Sequence, residues 1–266
     1  MREAEARVRD GGRGAVSRFV YGVNPVLEAL KAHPKDVVRV LLERGHEGRK
    51  SRGADRVAEA AADAGVRVED VPHGDLAHRS RSGAHQGVGA ELTQFRYAEL
   101  EDVLSAIEGS ALLLVLDGVT DPQNLGALAR SAHALGAHGI VVPKDRAAGI
   151  TPAAFKAAAG ALEHCPVVRV TNLSRALDLM KEQGIWTVAL AADGEKELGQ
   201  VDLTVPTALV LGSEGSGVRP LVRKTCDHLA RIPMGGQVGS LNVAAAGAVA
   251  LYEVLRQRRQ PGTPPN

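Results

Sequence analysis

The stretch at residues 209–253 constrains what this chain can fold into more than any other. It reads Leu-Val-Leu-Gly-Ser-Glu-Gly-Ser-Gly (209–217), then Ala-Arg-Ile-Pro-Met-Gly-Gly-Gln-Val-Gly-Ser-Leu-Asn-Val (230–243), then an alanine-rich apolar run to Glu253. Residues 207–211 and 228–232 are short runs of the kind that fill parallel sheets. Each ends in a turn bearing glycine or proline, and the second turn leads into a helix expected over 242–256. Open parallel sheets bind ligands at the carboxyl ends of their strands. Glycines there let backbone approach a ligand, and a helix start offers unpaired N–H groups. The same glycines also serve ordinary turns, so the stretch implies an α/β fold before it implies a function.

The rest of the chain repeats the strand–turn–helix theme. Residues 1–18 are rich in Arg, Glu and Gly without periodicity and are expected to be a disordered arm. Asn24-Pro25 predicts a helix start, with the helix running to about residue 32. A strand at 37–42, a helix ending near 64, strands at 66–71 and 87–92, and a polar loop at 78–86 complete a small α/β domain over 19–94. A partly helical linker is expected over 95–109. The second domain, 110–259, opens on the apolar strand 112–116. Asp121-Pro122 and Thr151-Pro152 each predict a capped helix start, to about 135 and 162. Strands at 139–142, 167–170 and 186–190, a helix at 174–183 and a loop at 195–201 lead back to the organising stretch. Residues 260–266 read as a frayed tail.

Composition mainly excludes. The formal net charge is +1, so no global field points to a nucleic-acid partner. The two cysteines, Cys165 and Cys226, form no CxxC or Cys/His cluster, which argues against zinc and against a disulfide framework. No metal site is expected, since His73, His78 and His85 lack ligand spacing. No apolar run approaches the ~18 residues of a membrane span, and the expected location is the cytoplasm. Gly212, Gly215 and Gly217 are wrongly spaced for GxGxxG or a P-loop.

A second dense cluster runs from Leu116 to Ala132, where a strand ends in a polar turn and a helix presents Asn124, Leu128 and Arg130. Asn124, near the helix start, suits holding a phosphate or ribose, or capping its own backbone. Arg130 among small residues needs a carboxylate, a phosphate or solvent. Glu214 is either a turn carboxylate capping a neighbouring helix or an anchor for a cation or a substrate hydroxyl.

Together these blocks resemble the SpoU/TrmH family of RNA ribose 2'-O-methyltransferases. The matching segments are 116–132, 209–217 and Ile-Pro-Met-Gly-Gly-Gln-Val-Gly-Ser-Leu-Asn-Val-Ala (232–244), with Tyr-Gly-Val-Asn-Pro-Val-Leu-Glu-Ala-Leu (21–30) and His-Gln-Gly-Val (85–88) similar to the family's substrate-binding domain. Within the family the chain is most similar to the bacterial 23S rRNA guanosine 2'-O-methyltransferases. The resemblance implies a parallel-sheet domain tied in a deep trefoil knot of the SPOUT type, a homodimer with the active site at its interface, and S-adenosylmethionine as cofactor. It implies cofactor contacts at Gly212, Ile232, Met234 and Leu241. It places the chemistry on Asn124, Arg130, Glu214, Ser240 and Asn242, with Glu214 setting the geometry of Arg130. The family's proposed base falls at Arg130, yet a guanidinium is not deprotonated in proteins, so holding phosphate or stabilising a developing alkoxide is an equally good role. One departure is Ala244, where many members carry serine.

Arg44, Arg49, Lys50 and Arg52, with Arg79 and Arg81 in the polar loop, read from charge alone as solvated surface. The resemblance makes them the expected RNA contacts, because the N-terminal domain is where such enzymes hold RNA. Two alternatives stay open at this level: a tRNA or antibiotic-resistance rRNA 2'-O-methyltransferase, and a non-catalytic RNA-binding homologue.

Overall fold

Short apolar runs alternating with helical periods dictate crossover connections, and the chain makes them in two separate units, up to Phe95 and from Arg96. The computed structural model describes residues 18–44, 52–81, 83–237 and 239–259.

The N-terminal unit contains β1 (Arg18–Tyr21), α1 (Val23–Ala32), β2 (Val37–Glu43), α2 (Arg52–Asp63), β3 (Val68–Val71), α3 (Asp75–Ser80) and β4 (Val88–Leu92). Its sheet has the order β1-β4-β2-β3, with β4 antiparallel to both neighbours and β3 parallel to β2. Three expectations change here. Arg18, assigned to the arm, pairs with Leu92 in β1, a strand of four residues too short to show a period. The first helix begins at Val23, not after Asn24; Gly22 at φ 95° turns the chain, and Gln86 Oε1 accepts from Val23 N at 3.2 Å. Part of the polar loop is helical: α3 is pinned by Leu76, fully buried in a cluster with Leu41 and Val71. Tertiary burial overrides a local sequence without helical pattern there.

The C-terminal unit contains α4 (Leu100–Ser105), β5 (Leu112–Asp117), α5 (Pro122–Ala134), β6 (Gly139–Pro143), α6 (Pro152–Ala158), β7 (Val167–Val170), α7 (Leu173–Glu182), β8 (Trp186–Leu190), β9 (Lys196–Glu197), β10 (Thr207–Gly212), α8 (Pro220–Thr225), β11 (His228–Arg231) and α9 (Val243–Arg258). The seven strands lie in the order β7-β6-β5-β10-β8-β11-β9, and every neighbouring pair is parallel. From β5 the chain first builds outward through β6 and β7, and then fills the other side. The switch point therefore falls between β5 and β10, where Asp117 and Gly212 are in register.

Both faces of this sheet are covered, which is why β5 and β10 read as unbroken apolar runs. On one face Leu113, Val115 and Val210 pack with Leu173, Leu177 and Met180 of α7 and Val222 of α8. Replacing Leu113 with alanine would cost about 2–5 kcal/mol. On the other face lie α5, α6 and α9. Gly126 lets α5 sit against α6, because a Cβ there would overlap the Ala154 carbonyl oxygen. Proline-and-cap starts behave as the sequence implies: Asp121 Oδ1 accepts from Gln123 N at 2.9 Å, and Thr151 Oγ1 from Ala154 N at 3.3 Å. The helix begun at Pro152 ends sooner than expected, at Ala158, where Ala159 (φ 50°) and Gly160 (φ 100°) reverse the chain. At the amino end of the sheet Arg258 closes α9 onto β5 and β10, donating to the carbonyls of Ser110, Ala111, Leu203 and Val205. No helix among the described residues is long and apolar enough to cross a membrane.

Candidate active site

The carboxyl ends of β8, β10 and β11 and the start of α9 surround a cavity of about 540 Å³. Its walls are Leu190, Ala191 and Ala192 after β8, the Leu211–Gly215 turn after β10, Ile232 and Met234 after β11, and 239–243 leading into α9. The volume lies in the range of small-molecule sites, and apolar side chains with exposed backbone suit a ligand held by main-chain groups. Met234 and Leu241 are large apolar side chains left 40% and 39% exposed. The structure thus brings Gly212, Ile232, Met234, Leu241, Glu214, Ser240 and Asn242 to one cavity, though they span thirty-one residues of chain.

Local geometry explains the glycine at 212. A Cβ there would not enter the cavity; it would overlap the backbone of Gly217 and Val218. The turn doubles back on β10, closed by Ser213 N to Gly217 O at 3.1 Å and Gly217 N to Ser213 O at 3.0 Å. Its far end is anchored by Asp117, which is fully buried at the end of β5 and accepts from Arg219 N at 2.8 Å and Arg219 Nε at 2.6 Å. This anchor and the Leu190–Ala192 wall have no counterpart in the sequence reading. Asp117 stands inside a matched block but shows no partner from sequence, and the alanines carry no polar signal.

At the mouth of the cavity three polar side chains from separate elements meet. Asn242 Nδ2 donates to Glu214 Oε1 at 2.6 Å and to Asn124 Oδ1 at 3.0 Å, while Asn124 Nδ2 donates to Glu214 Oε1 at 3.2 Å. The other end of the same amide caps α9, with Asn242 Oδ1 accepting from Ala244 N at 2.9 Å and Ala245 N at 3.4 Å. Val243 N also points at Glu214 Oε1, at 3.4 Å, so the carboxylate sits at the positive end of α9. Ser240 is exposed and makes no hydrogen bond with another described residue.

Arg130 stands apart from this cluster. It lies six residues beyond Asn124 on α5, roughly 240° round the helix and about 9 Å along its axis. Its side chain is exposed and has no ion pair among the described residues. Within this chain Glu214 takes its side-chain donors from the two asparagines and makes no ion pair with Arg130. No group of three or more His, Cys, Asp or Glu placed to hold a metal occurs among the described residues.

The basic residues of the N-terminal unit divide. Arg79 is committed internally, Nε to Asp75 Oδ2 at 2.7 Å and Nη1 to Glu91 Oε1 at 2.6 Å, and the buried Glu91 is also held by Arg39 Nε at 2.7 Å. It therefore braces the sheet rather than presenting a free cation, because Glu91 at 6% exposure needs charged partners. Arg44 is exposed with only a 3.5 Å contact to Asp70, and Arg81 is exposed at φ 50° after α3. Arg49 and Lys50 lie outside the described residues, as does the side chain of Arg52.

A cavity with apolar walls at the carboxyl ends of parallel strands, with an amide-locked carboxylate at its mouth, defines an α/β domain with a small-molecule site. The chain belongs to the SpoU rRNA methylase family, whose model matches residues 111–252. A second model, for RNA 2'-O ribose methyltransferase substrate binding, matches residues 19–98. The chain is 44% identical over 242 residues to the 23S rRNA (guanosine-2'-O-)-methyltransferase RlmB of Pseudomonas syringae pv. tomato, covering 90% of this chain and 95% of that one. It is 41% identical over 245 residues to the RlmB of Nitrosomonas europaea, covering 92% and 93%. Among solved structures it is similar to the SpoU methyltransferase AviRb from Streptomyces viridochromogenes in complex with AdoMet, with a TM-score of 0.75, 28% identity and 90% of each chain covered.

Proposed function

We propose that the protein methylates a ribose 2'-hydroxyl, on a guanosine of 23S rRNA, with S-adenosylmethionine as methyl donor. The observation that carries this reading is the cavity at the carboxyl ends of β8, β10 and β11 with the Asn124–Glu214–Asn242 cluster at its mouth, in a family member similar over both units to rRNA guanosine 2'-O-methyltransferases. When bound, S-adenosylmethionine supplies a methyl group already activated on a sulfonium. The cavity fits such a ligand: its volume suits a nucleoside, and its walls are apolar with open backbone at Gly212, Ile232 and Leu241. Met234 would cover it from the β11 turn.

The remaining task of the protein is to position a ribose and handle charge. Asn124, Ser240 and Asn242 orient the sugar at the cavity mouth. Arg130, exposed and uncommitted, holds a neighbouring RNA phosphate and stabilises negative charge growing on the attacking oxygen. The N-terminal unit grips RNA through Arg44, Arg81 and the 49–52 stretch, with Arg79 bracing the fold beneath. We further read the C-terminal unit as knotted, as the family resemblance implies, and as the homodimer surface, the latter supported by Val249 and Tyr252, exposed at 43% and 56% on α9. The cytoplasm is the compartment where such RNA is met. The test is methyl transfer from labelled S-adenosylmethionine to separate rRNA and tRNA pools. Label in rRNA is expected, and a protein that binds NAD or ATP but not S-adenosylmethionine would overturn the reading.

A further inference from the structure

The wall of the cavity after β8 cannot hold itself in place. From Ala191 the chain runs as a strap to β9, a strand of only two residues, shorter than strands that stand unaided. The strap lies directly on the end of β11. Ala191 N donates to Ala230 O at 2.9 Å, and a Cβ on Gly194 would overlap Ala230 C and Arg231 N. Two arginines hold the strap from outside. Arg231, the last residue of β11, donates from Nη1 to the carbonyls of Gly194 at 2.9 Å and Glu195 at 3.2 Å, and from Nη2 to Glu197 Oε1 at 3.3 Å. Arg223 of α8 donates from Nη1 to Asp193 Oδ1 at 2.8 Å. Neither arginine lines the cavity, whereas Ala191 and Ala192 at the start of the strap do.

We infer that Arg231 is a positioning residue for S-adenosylmethionine: it pins the 191–197 strap, and the pinned strap keeps the apolar wall in place for the ligand. This rests on the methyl-transfer reading above. Magnitudes separate the two arginines. Asp193 is 70% exposed, and an ion pair on so exposed a carboxylate contributes little once solvent screens it. Arg231 instead serves two backbone carbonyls and a carboxylate with one planar group. The strap's own ladder with β11 is two residues long, Ala230 beside Lys196 and Arg231 beside Glu197. Without the guanidinium the strap opens readily, and each binding event must first order it again. The loss therefore falls on affinity and spares the transfer step. Position in the chain adds to this role. Arg231 directly precedes Ile232, so one side chain ties the wall after β11 to the wall after β8.

Arg231→Met removes the donors and keeps an apolar stem. The full chain is titrated calorimetrically with S-adenosylmethionine, S-adenosylhomocysteine and 5'-deoxy-5'-methylthioadenosine, which lacks the amino-acid part. Hydrogen exchange of the 191–197 amides is followed in the ligand-free protein. Arg231→Met is expected to bind all three ligands about 10–100-fold more weakly and to exchange the strap amides about tenfold faster or more. KM for S-adenosylmethionine should rise in step, while kcat on 23S rRNA transcript stays within about threefold of wild type. Arg223→Met should change affinity by less than about threefold. If Arg231→Met does not fold, Arg231→Lys decides by the same readouts, with an expected loss of about 3–10-fold, because an ammonium lacks the planar fork. Affinity of Arg231→Met within about threefold of wild type, or unchanged strap exchange, overturns the inference. So does an equal loss in Arg223→Met. A loss confined to the two ligands that carry an amino acid also overturns it, because the guanidinium would then hold the ligand's carboxylate directly. A wild-type protein that binds none of the three ligands fails the underlying reading instead.

Discussion

Replacing Gly212 with alanine probes the cavity through its scaffold. The added methyl would point away from the ligand space and into the backbone of Gly217 and Val218, so the turn after β10 must open. Opening it breaks the Ser213–Gly217 pair of hydrogen bonds at 3.1 and 3.0 Å, at about 1 kcal/mol each. Crowding a packed site adds about 1–3 kcal/mol more unless the turn relaxes fully. A cost of about 2–5 kcal/mol levied on the binding-competent turn weakens ligand binding about 30-fold to several thousand-fold. Gly217→Ala is the matched control. Gly217 has φ +67° with nothing within 4 Å of an added Cβ, so only left-handed backbone strain of about 1–2 kcal/mol applies. Calorimetry with S-adenosylmethionine and thermal melting of both variants give the comparison. Equal affinities for wild type and Gly212→Ala, or a larger loss in Gly217→Ala, would refute the reasoning.

Other consequences follow from the same contacts. Arg130→Ala should lower methyl transfer by about 10²–10³ with unchanged S-adenosylmethionine affinity, and lysine should not rescue it because it lacks the planar fork; turnover of Arg130→Ala near wild type would contradict this. Arg44→Ala with Arg81→Ala should weaken RNA binding and flatten its salt dependence by about 0.7 per lost phosphate contact. Arg79→Ala should instead destabilise the N-terminal unit by about 1–3 kcal/mol, read by denaturant melting, since it strips a partner from Glu91. Burial pushes the thiols of Cys165 and Cys226 from 9.0 up to about 12. Both should resist iodoacetamide at pH 8 in the native state, and their contribution to stability, complete below about pH 9, should be lost as pH rises toward 12. Rapid alkylation of the native protein would contradict that.

Much of the C-terminal unit was legible because its signals are local. The strands at 167–170 and 186–190 fall where the apolar runs place them, and Asp121-Pro122 and Thr151-Pro152 open their helices as cap chemistry requires. What was not legible depends on distant partners. Helix α8 begins where buried Asp117, 102 residues earlier, holds Arg219. Helix α3 exists because Leu76 needs a core, although the segment looks like a polar loop. Arg79 reads as a spare cation until Glu91 folds beside it. The cluster at the cavity shows both sides of this. The residue types of Asn124, Glu214 and Asn242 were visible as candidates, but their mutual bonds span up to 118 residues, so the pairing of Glu214 with the two amides needed the fold.

The central claim is the reaction itself, and nucleoside analysis tests it most directly. Unmodified 23S rRNA transcript is incubated with the full-length protein and labelled S-adenosylmethionine, digested to nucleosides, and separated by mass. The account predicts label in 2'-O-methylguanosine, at one position of the 23S rRNA. Label confined to a methylated base, label in tRNA alone, or none in a protein that binds the cofactor would contradict it.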